Sequence, residues 1–286
     1  MSRWLITGAG GMLGTDLVAA LASAGESVTA LARRDLDITD GARVHEAVRS
    51  CRPDVVVNCA AWTAVDDAES HEAEALRVNG DGAANVAAAC AAGAARLVQL
   101  STDYVFSGDA TAPYPETGAA APRTAYGRTK LAGEEAVLRL LPGTGYVVRT
   151  AWLFGAHGPN FVAAMIGLER ERPQLEVVAD QRGQPTWTAD VAGQVLALIR
   201  SGAPAGVYHA TSSGETTWFG LAREIFRLLG ADQARVTPVG SEQYRRPAPR
   251  PAFSVLGHAA WTRAGIKPIR GWEEALRAAL PALATG

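Results

Sequence analysis

The sequence has few cysteines, no excess of either charge and no long apolar run. Its three cysteines lack metal-binding or CxxC spacing and its five histidines are scattered, so we expect reduced thiols and assign no residue to a metal. A net charge of −2 over 286 residues offers no electrostatic surface for nucleic acid. No stretch approaches the roughly 20 apolar residues that cross a bilayer, and residues 1–7 lack a secretory signal. These absences predict a cytoplasmic protein that binds neither nucleic acid nor membrane.

Short apolar runs alternate with helix-forming segments along the first half of the chain. Runs at about 3–7, 27–32, 54–58, 96–101 and 146–149 are typical of strands. The run at 54–58 is apolar almost throughout, as expected for a strand buried on both faces. This alternation predicts an α/β fold with a doubly wound parallel (Rossmann) sheet and helices on both faces.

A glycine-rich turn follows the first predicted strand and precedes an Ala/Leu-rich helix. Glycines stand at positions 8, 10, 11 and 14. In the order strand, turn, helix, such glycines allow a tight turn, close approach of the backbone to a pyrophosphate, and close packing of the helix. Phosphates then lie at the helix N-terminus. The turn therefore predicts a dinucleotide site that includes Gly8, Gly10, Gly11 and Gly14.

Arg33 and Arg34 stand at the end of the second predicted strand, directly after Ala32. An acid there would bind the ribose 2′-hydroxyl, whereas Ala32 followed by arginine leaves space and positive charge for a 2′-phosphate. We therefore expect NADPH rather than NADH, with Arg33 at the phosphate. The alternative is that both arginines are ordinary solvated charges. Asp37 and Ile38 suit the edge and the face of an adenine.

Tyr126 and Lys130 are four residues apart on a predicted helix and so lie on one face. An ammonium beside a phenol favours phenolate, so we expect Lys130 to lower the pKa of Tyr126. Thr102, after the fourth strand, can hydrogen-bond a carbonyl oxygen while Tyr126 donates a proton. Isolated Tyr-x-x-x-Lys spacings also occur on helix surfaces, but here the spacing accompanies a dinucleotide turn. Together these features predict a carbonyl reductase.

These motifs resemble the extended short-chain dehydrogenases/reductases, and longer stretches resemble the dTDP-4-dehydrorhamnose reductase family. The resemblance covers almost the whole chain, at 58–66, 101–108, 126–134, 149–152, 158–161, 180–186, 206–209 and 246–256. It implies reduction of the C4 ketone of a dTDP-4-dehydro-6-deoxy-L-hexose by NADPH, or NADH, giving dTDP-L-rhamnose or a close analogue. It also implies a nucleotide-binding domain at 1–152, joined by a segment returning at about 186–210, and a smaller C-terminal α/β substrate lobe, mainly 153–286.

The resemblance implies functional roles for individual residues. It implies that Thr102 polarises the ketone, Tyr126 donates the proton, and Lys130 holds the nicotinamide ribose. The cofactor residues expected from the motifs and the resemblance together are Gly8, Gly10, Gly11, Met12, Leu13, Gly14, Arg33, Asp37, Ile38, Ala60, Ala61, Trp62 and Thr63, with Tyr126 and Lys130. The expected substrate residues are Val65, Thr102, Asp103, Tyr104, Trp152, Asn160 and Arg250.

Two of the substrate residues also have an argument from their chemistry. Trp152 would give a flat wall against the sugar, although a core aromatic at a strand end is the alternative. Arg250 lies in a basic, proline-rich segment at 244–251, where a guanidinium could grip a pyrophosphate or simply be solvated.

The chain departs from its relatives at two points. Trp62 replaces a common His or Tyr, so a polar contact from that side chain is not expected. Some relatives hold a divalent metal at a dimer interface, but no equivalent acidic cluster is evident, and a monomer or a homodimer remains open. The alternatives are a related epimerase or 4,6-dehydratase and a non-catalytic NADP-binding regulatory subunit. Dehydratases typically place Asp-Glu after the Thr, whereas Tyr104 follows Asp103 here, which argues against dehydration.

Overall fold

The structure is a computed structural model, which describes residues 1–284. Over those residues no helix combines the length and the apolar character needed to cross a membrane. In chain order the strands and α-helices are β1 (Arg3–Thr7), α1 (Met12–Ser23), β2 (Ser27–Leu31), α2 (Gly41–Cys51), β3 (Val55–Asn58), α3 (Val65–Ala68), α4 (Glu72–Leu76), α5 (Ala83–Gly93), β4 (Arg96–Thr102), α6 (Ala125–Leu140), β5 (Gly145–Thr150), β6 (Leu153–Phe154), α7 (Phe161–Glu171), β7 (Leu175–Val178), β8 (Arg182–Gly183), β9 (Thr186–Trp187), α8 (Thr188–Ser201), β10 (Gly206–His209), β11 (Thr216–Thr217), α9 (Trp218–Leu228), β12 (Val236–Val239), α10 (Ala259–Arg263) and α11 (Trp272–Ala284).

The main sheet has six parallel strands in the order β2-β1-β3-β4-β5-β10. The chain runs outward from β1 to β2 and then crosses back to β3 on the other side, so the winding reverses between β1 and β3. In open α/β sheets a ligand binds at the carboxyl ends of the strands beside such a reversal. The predicted fold class is confirmed, and the site is expected above Thr7, Asn58 and Thr102.

Alternate residues of each strand feed two cores, one on either face of the sheet. Trp4 and Ile6 pack with helices α1 and α8, whereas Leu5 faces the opposite core with α2, α5 and α6. The first core takes side chains from both halves of the chain, including Leu17 and Leu198. Residues beyond 186 therefore complete the core on one face of the main sheet.

A third core lies in the C-terminal lobe, between α7, α9 and α11. The lobe also contains three two-stranded pairings, β7 with β12, β8 with β11, and β6 with β9. Helix α9 shows the pattern of a half-buried helix, with Leu221, Ala222, Ile225 and Phe226 turned inward. Strand β6, in the pairing with β9, follows β5 directly along the chain.

A π-helical turn at Arg77–Gly82 joins α4 to α5. The Ala-rich run over about 72–92 is typical of one continuous helix, and the structure shows that helix widened at its centre. The wider turn holds Asn79, whose buried side-chain amide makes hydrogen bonds to Trp62 and Thr129, outside this helix. Widened turns of this kind are frequently found at functional sites.

Candidate active site

The glycine turn has the geometry of a phosphate cradle. Gly8 has a φ of 67°, and a Cβ there would lie 2.5 Å from the Ala60 nitrogen. A Cβ on Gly14 would lie 2.8 Å from the Ala9 Cα, so only glycine allows α1 to pack this close.

The N-terminus of α1 is open to an anion. Gly11 caps it without a side-chain hydrogen bond, and its first turn carries no acid. The Thr15 N–H donates to the Gly11 carbonyl, 2.9 Å away, so the preceding N–H groups are turned outward. The turn therefore fits a pyrophosphate bound through backbone groups. Of the two predicted residues at this turn, Leu13 packs in the first core, and Met12 lies against Gly155.

The predicted adenine and 2′-phosphate residues lie beyond β2. Arg33 is exposed, and its charge is near enough to act on Asp37. The N–H and the hydroxyl of Thr39 bind the Asp37 carboxylate and hold its pKa below the usual range, with Arg33 adding to the effect. Ile38 is buried in the second core, so its contact with an adenine would come from the backbone and not from the predicted side-chain face.

The loop at 59–64 is held over the carboxyl edge of the sheet by two asparagines. Asn58 accepts from the Thr7 hydroxyl at 2.6 Å and from the Ala60 N–H at 3.2 Å. Asn79 accepts from the Trp62 N–H at 2.9 Å and donates to the Trp62 carbonyl at 3.1 Å. The remaining residues predicted for the cofactor here, Ala61 and Thr63, are carried by the same loop.

Asn79 also donates to Thr129, on α6, at 3.1 Å. It therefore joins the 59–64 loop to the helix that carries Tyr126. Trp62 packs near Tyr126, around Ala68, Ala75 and Ala125. Sequence reasoning missed Asn79, although an asparagine inside an Ala-rich helix was the available signal.

Thr102 and Tyr126 meet at the end of β4, as the motif predicts. The Thr102 hydroxyl donates to Asp103 Oδ1 at 3.0 Å and accepts from the Tyr104 N–H at 3.2 Å. The rings of Tyr104 and Tyr126 lie edge to face with centroids 5.6 Å apart. The Thr102 hydroxyl is near enough to the Tyr126 phenol to lower its pKa. A carbonyl placed between these two hydroxyls would meet two donors once the Thr102 hydroxyl turns its one proton from Asp103 to the carbonyl oxygen.

Burial raises the pKa of Tyr126 to about 12, while the Thr102 hydroxyl lowers it and Asp103 raises it further. The expectation that Lys130 lowers this pKa is therefore not met. The Lys130 Nζ instead donates to the Leu100 carbonyl at 2.7 Å, and desolvation of the phenol is the larger effect. A neutral phenol is the form that can donate a proton.

Lys130 is also buried, and burial lowers the pKa of its ammonium to about 8, while the Glu134 carboxylate raises it. Glu134 lies one turn further along α6, where Arg149 donates to its Oε2 at 2.6 Å and Ser101 also donates to it. The Arg149 guanidinium stands over the Phe106 ring, 4.9 Å from its centroid. This buried ion pair ties α6 to β5 behind Tyr126 and was not assigned a role from the sequence.

The predicted substrate residues fall into two groups around Tyr126. In the first, Arg250 donates to Asp66 Oδ2 at 2.8 Å, and its charge acts on Tyr104. Val65 precedes Asp66 at the start of α3. Burial raises the pKa of Asp103 to about 6, and its Oδ2 makes no hydrogen bond of regular geometry within residues 1–284. Ser254 lies beside this carboxyl and, with Thr102, lowers its pKa against the larger effect of burial.

The second group contains Trp152 and Asn160. Trp152 follows β5 and stacks on Trp218, with centroids 3.6 Å apart. Asn160 caps α7 by accepting from the Ala163 N–H at 3.0 Å, and it donates to the Gly155 carbonyl at 2.8 Å. The structure therefore gives Asn160 a role in holding the start of the lobe.

Together the parallel sheet, the glycine turn and the Thr-Tyr-Lys arrangement define an NAD(P)-dependent oxidoreductase of the short-chain dehydrogenase/reductase type. Within that class the chain belongs to the family described as RmlD substrate binding domain, which matches residues 2–285. The family resemblance seen in the sequence is thereby confirmed.

Named relatives match the chain over nearly its full length. It is 58% identical to a dTDP-4-dehydrorhamnose reductase of Streptomyces griseus, over 98% of this chain and 94% of the relative. It is 56% identical to a dTDP-4-keto-6-deoxy-D-glucose reductase of Streptomyces niveus, over 98% and 97%. A crystal structure of the Bacillus anthracis dTDP-4-dehydrorhamnose reductase in complex with NADP superposes with a TM-score of 0.94 at 38% identity, covering 98% of this chain and 99% of that one.

Proposed function

We propose that this protein uses NADPH to reduce the C4 ketone of a dTDP-4-dehydro-6-deoxyhexose, with dTDP-4-dehydrorhamnose as the leading substrate. The observation that carries the proposal is the placement of the Tyr126 phenol close to the Thr102 hydroxyl, at the sheet edge that also holds the glycine turn. The printed names of its relatives support the substrate class. The exposed Arg33 at the end of β2 supports a 2′-phosphate, and hence NADPH over NADH.

The residues divide the chemistry between them. The dinucleotide, when bound, supplies the hydride to C4. Thr102 donates a hydrogen bond to the ketone oxygen, and Tyr126 transfers its phenolic proton to that oxygen as the C–H bond forms. The products are the C4 alcohol and a tyrosinate, which is reprotonated afterwards. Lys130, whose Nζ donates to the Leu100 carbonyl, would hold the nicotinamide ribose, as the family resemblance implies.

The site also has groups for the rest of the substrate. Asp103, whose carboxylate accepts from the Thr102 hydroxyl, would contact a sugar hydroxyl, as the family resemblance implies. Arg250 and Tyr104 stand beside it, where a guanidinium suits a pyrophosphate. We place the reaction in the cytoplasm, carried out by a monomer or homodimer, which size-exclusion chromatography with light scattering would distinguish.

The test is consumption of NADPH and NADH by the purified protein with a dTDP-4-keto-6-deoxyhexose generated in situ, with and without a 3,5-epimerase. Turnover only with the epimerase identifies the L-sugar. Turnover without it identifies the D-gluco ketone named for the Streptomyces niveus relative. Tyr126→Phe should lower kcat by about 10²–10⁴-fold, since it removes the proton donor.

Tyr208→Phe is the matched control, because its hydroxyl bonds the Pro204 carbonyl in the first core and not the site. If neither cofactor is consumed although both bind, the protein is a regulatory subunit. Full activity of Tyr126→Phe would rule out the assigned proton donor.

A further inference from the structure

Trp152 has a backbone conformation that non-glycine residues rarely adopt. Its φ is 46°, in the left-handed region. Such a conformation is strained and persists only where the surroundings hold it. Trp152 comes two residues after Thr150, which pairs in register with Thr102 across β4 and β5. The strained residue is therefore carried at the same sheet edge as the reacting groups.

One face of the Trp152 indole is covered by Trp218, the first residue of α9. The rings are 3.6 Å apart and tilted by 8°, which is a full stack. Trp218 is itself held, because its Nε1 donates to Gln181 Oε1 at 3.1 Å and Phe161 packs on it at 4.7 Å. Trp218 is thus a fixed surface.

The other face of the indole lies against Gly183. A Cβ on Gly183 would have Trp152 Cε2 as its nearest atom and would lie 2.7 Å from both Cζ2 and Nε1. Cε2 is bonded to both Cζ2 and Nε1. An atom that approached Cε2 from outside, in the plane of the ring, would come closer to Cζ2 and Nε1 than to Cε2. Because the Cβ position on Gly183 is nearest to Cε2, it lies above the face of the ring. Since a stacked ring already occupies one face, Gly183 must be on the opposite one.

Gly183 and Trp218 are connected through the pairing of β8 with β11. Gly183 of β8 pairs with Thr216 of β11, two residues before Trp218. The Trp152 carbonyl is fixed as well, since it accepts from the Thr186 N–H at 3.1 Å. The indole, enclosed on both faces, can offer only its edge to a ligand, not the flat wall expected from the sequence.

We propose that Trp218 and Gly183 are positioning residues that clamp Trp152, so that its indole edge sets the orientation of the sugar and hence the configuration formed at C4. The inference rests on the proposed function. Trp218 and Gly183 act through Trp152. Displacement of a reacting group by about 1 Å can cost about 10²-fold in rate, so a loosened indole affects catalysis more than binding.

The experiment compares Trp218→Ala, Trp218→Phe and the matched control Phe219→Ala in the ketone reduction assay. Phe219 is the next residue on α9 and packs on the same lobe core, but it stays out of the stack. We expect Trp218→Ala to lower kcat about tenfold or more with little change in KM and to yield both C4 epimers, whereas Trp218→Phe stays within about threefold of wild type. Product configuration is measured by NMR.

Circular dichroism tests the clamp without turnover. Stacked indoles give an exciton couplet, which Trp218→Ala and Trp152→Phe should both remove and Phe219→Ala should keep. If the wild type is active and Trp218→Ala has the same kcat and epimer ratio as Phe219→Ala, the proposed clamp is overturned and the proposed function is not. A wild type that consumes neither cofactor overturns the proposed function and, with it, the catalytic role of the clamp.

Discussion

Asp103 is a buried carboxyl group whose second oxygen lacks a regular hydrogen bond within residues 1–284. Burial raises its pKa from the usual value near 3.8 to about 6. Below about pH 4 the carboxyl is protonated in both folded and unfolded chains. Between pH 4 and 6 the unfolded chain releases the proton first, so the free energy of unfolding falls as the pH rises. Above pH 6 the folded state carries the whole cost of a buried carboxylate.

We therefore expect Asp103→Asn to be more stable than wild type at pH 7, by on the order of 3 kcal/mol, with the gain fading below pH 4. Chemical denaturation across pH 4 to 8 measures the difference. Asp109→Asn is the control, because the Ser107 hydroxyl holds the pKa of that exposed carboxyl below its usual range. A stability gain for Asp103→Asn that is constant with pH would contradict the assignment.

The sequence was sufficient to bring Thr102 and Tyr126 together, because the end of a buried strand and the first turn of the next helix meet at one sheet edge. The sequence did not predict that burial raises the pKa of Tyr126. Desolvation there depends on Trp62 and Tyr104, which reach the phenol from other loops. The cofactor and substrate roles of the individual residues stay predictions.

The π-helical turn at 77–82 is where α6 crosses the helix formed by α4 and α5. Gly133 of α6 lies against it so closely that an added Cβ would collide with the Asn79 carbonyl and lie 3.1 Å from the Ala83 Cβ. Neither partner can yield easily, because one is backbone and the other is fully buried. The local sequence could not reveal this contact, since the period of apolar residues is that of an ordinary helix.

Gly133→Ala should therefore destabilise the protein by about 1–3 kcal/mol, although alanine is normally the better helix former. Gly143→Ala is the control, because nothing lies within 4 Å of a Cβ at that position. Thermal denaturation of both variants makes the comparison. Equal melting temperatures would show that the crossing is looser than described.

The long strands and helices were predictable because each carries a repeat of apolar residues. The paired segments of the lobe, such as β8 with β11, have only two residues each, too short for any repeat. Helix α11 was not predicted, although it packs Leu276 into the third core. The boundary between the nucleotide-binding part and the lobe stays a prediction.

At the scale of the whole molecule, the Asp66–Arg250 pair connects helix α3 to the C-terminal segment 244–251. Asp66 accepts from the Ala248 N–H at 3.2 Å as well as from the guanidinium. One carboxylate therefore fixes both the backbone and the side chain of that segment. Arg245 and Arg246, by contrast, are exposed.

Asp66→Ala should release the segment and speed trypsin cleavage of the Arg245–Arg246 bond several-fold, because proteolysis follows the population of the opened form. Mass spectrometry of timed digests identifies the site. Asp67→Ala is the control, since its carboxylate pairs with His71 on the surface. Equal cleavage rates in the two variants would show that the segment is held by other contacts.

The position of β10 has a consequence for the order in which the protein is made. When β5 leaves the ribosome, its outer edge has no strand beside it and the first core lacks α8. Both are supplied only after the lobe segment 153–185 has been synthesised. The nascent sheet must therefore keep an open edge, a state prone to aggregation, until a later part of the chain returns to close it.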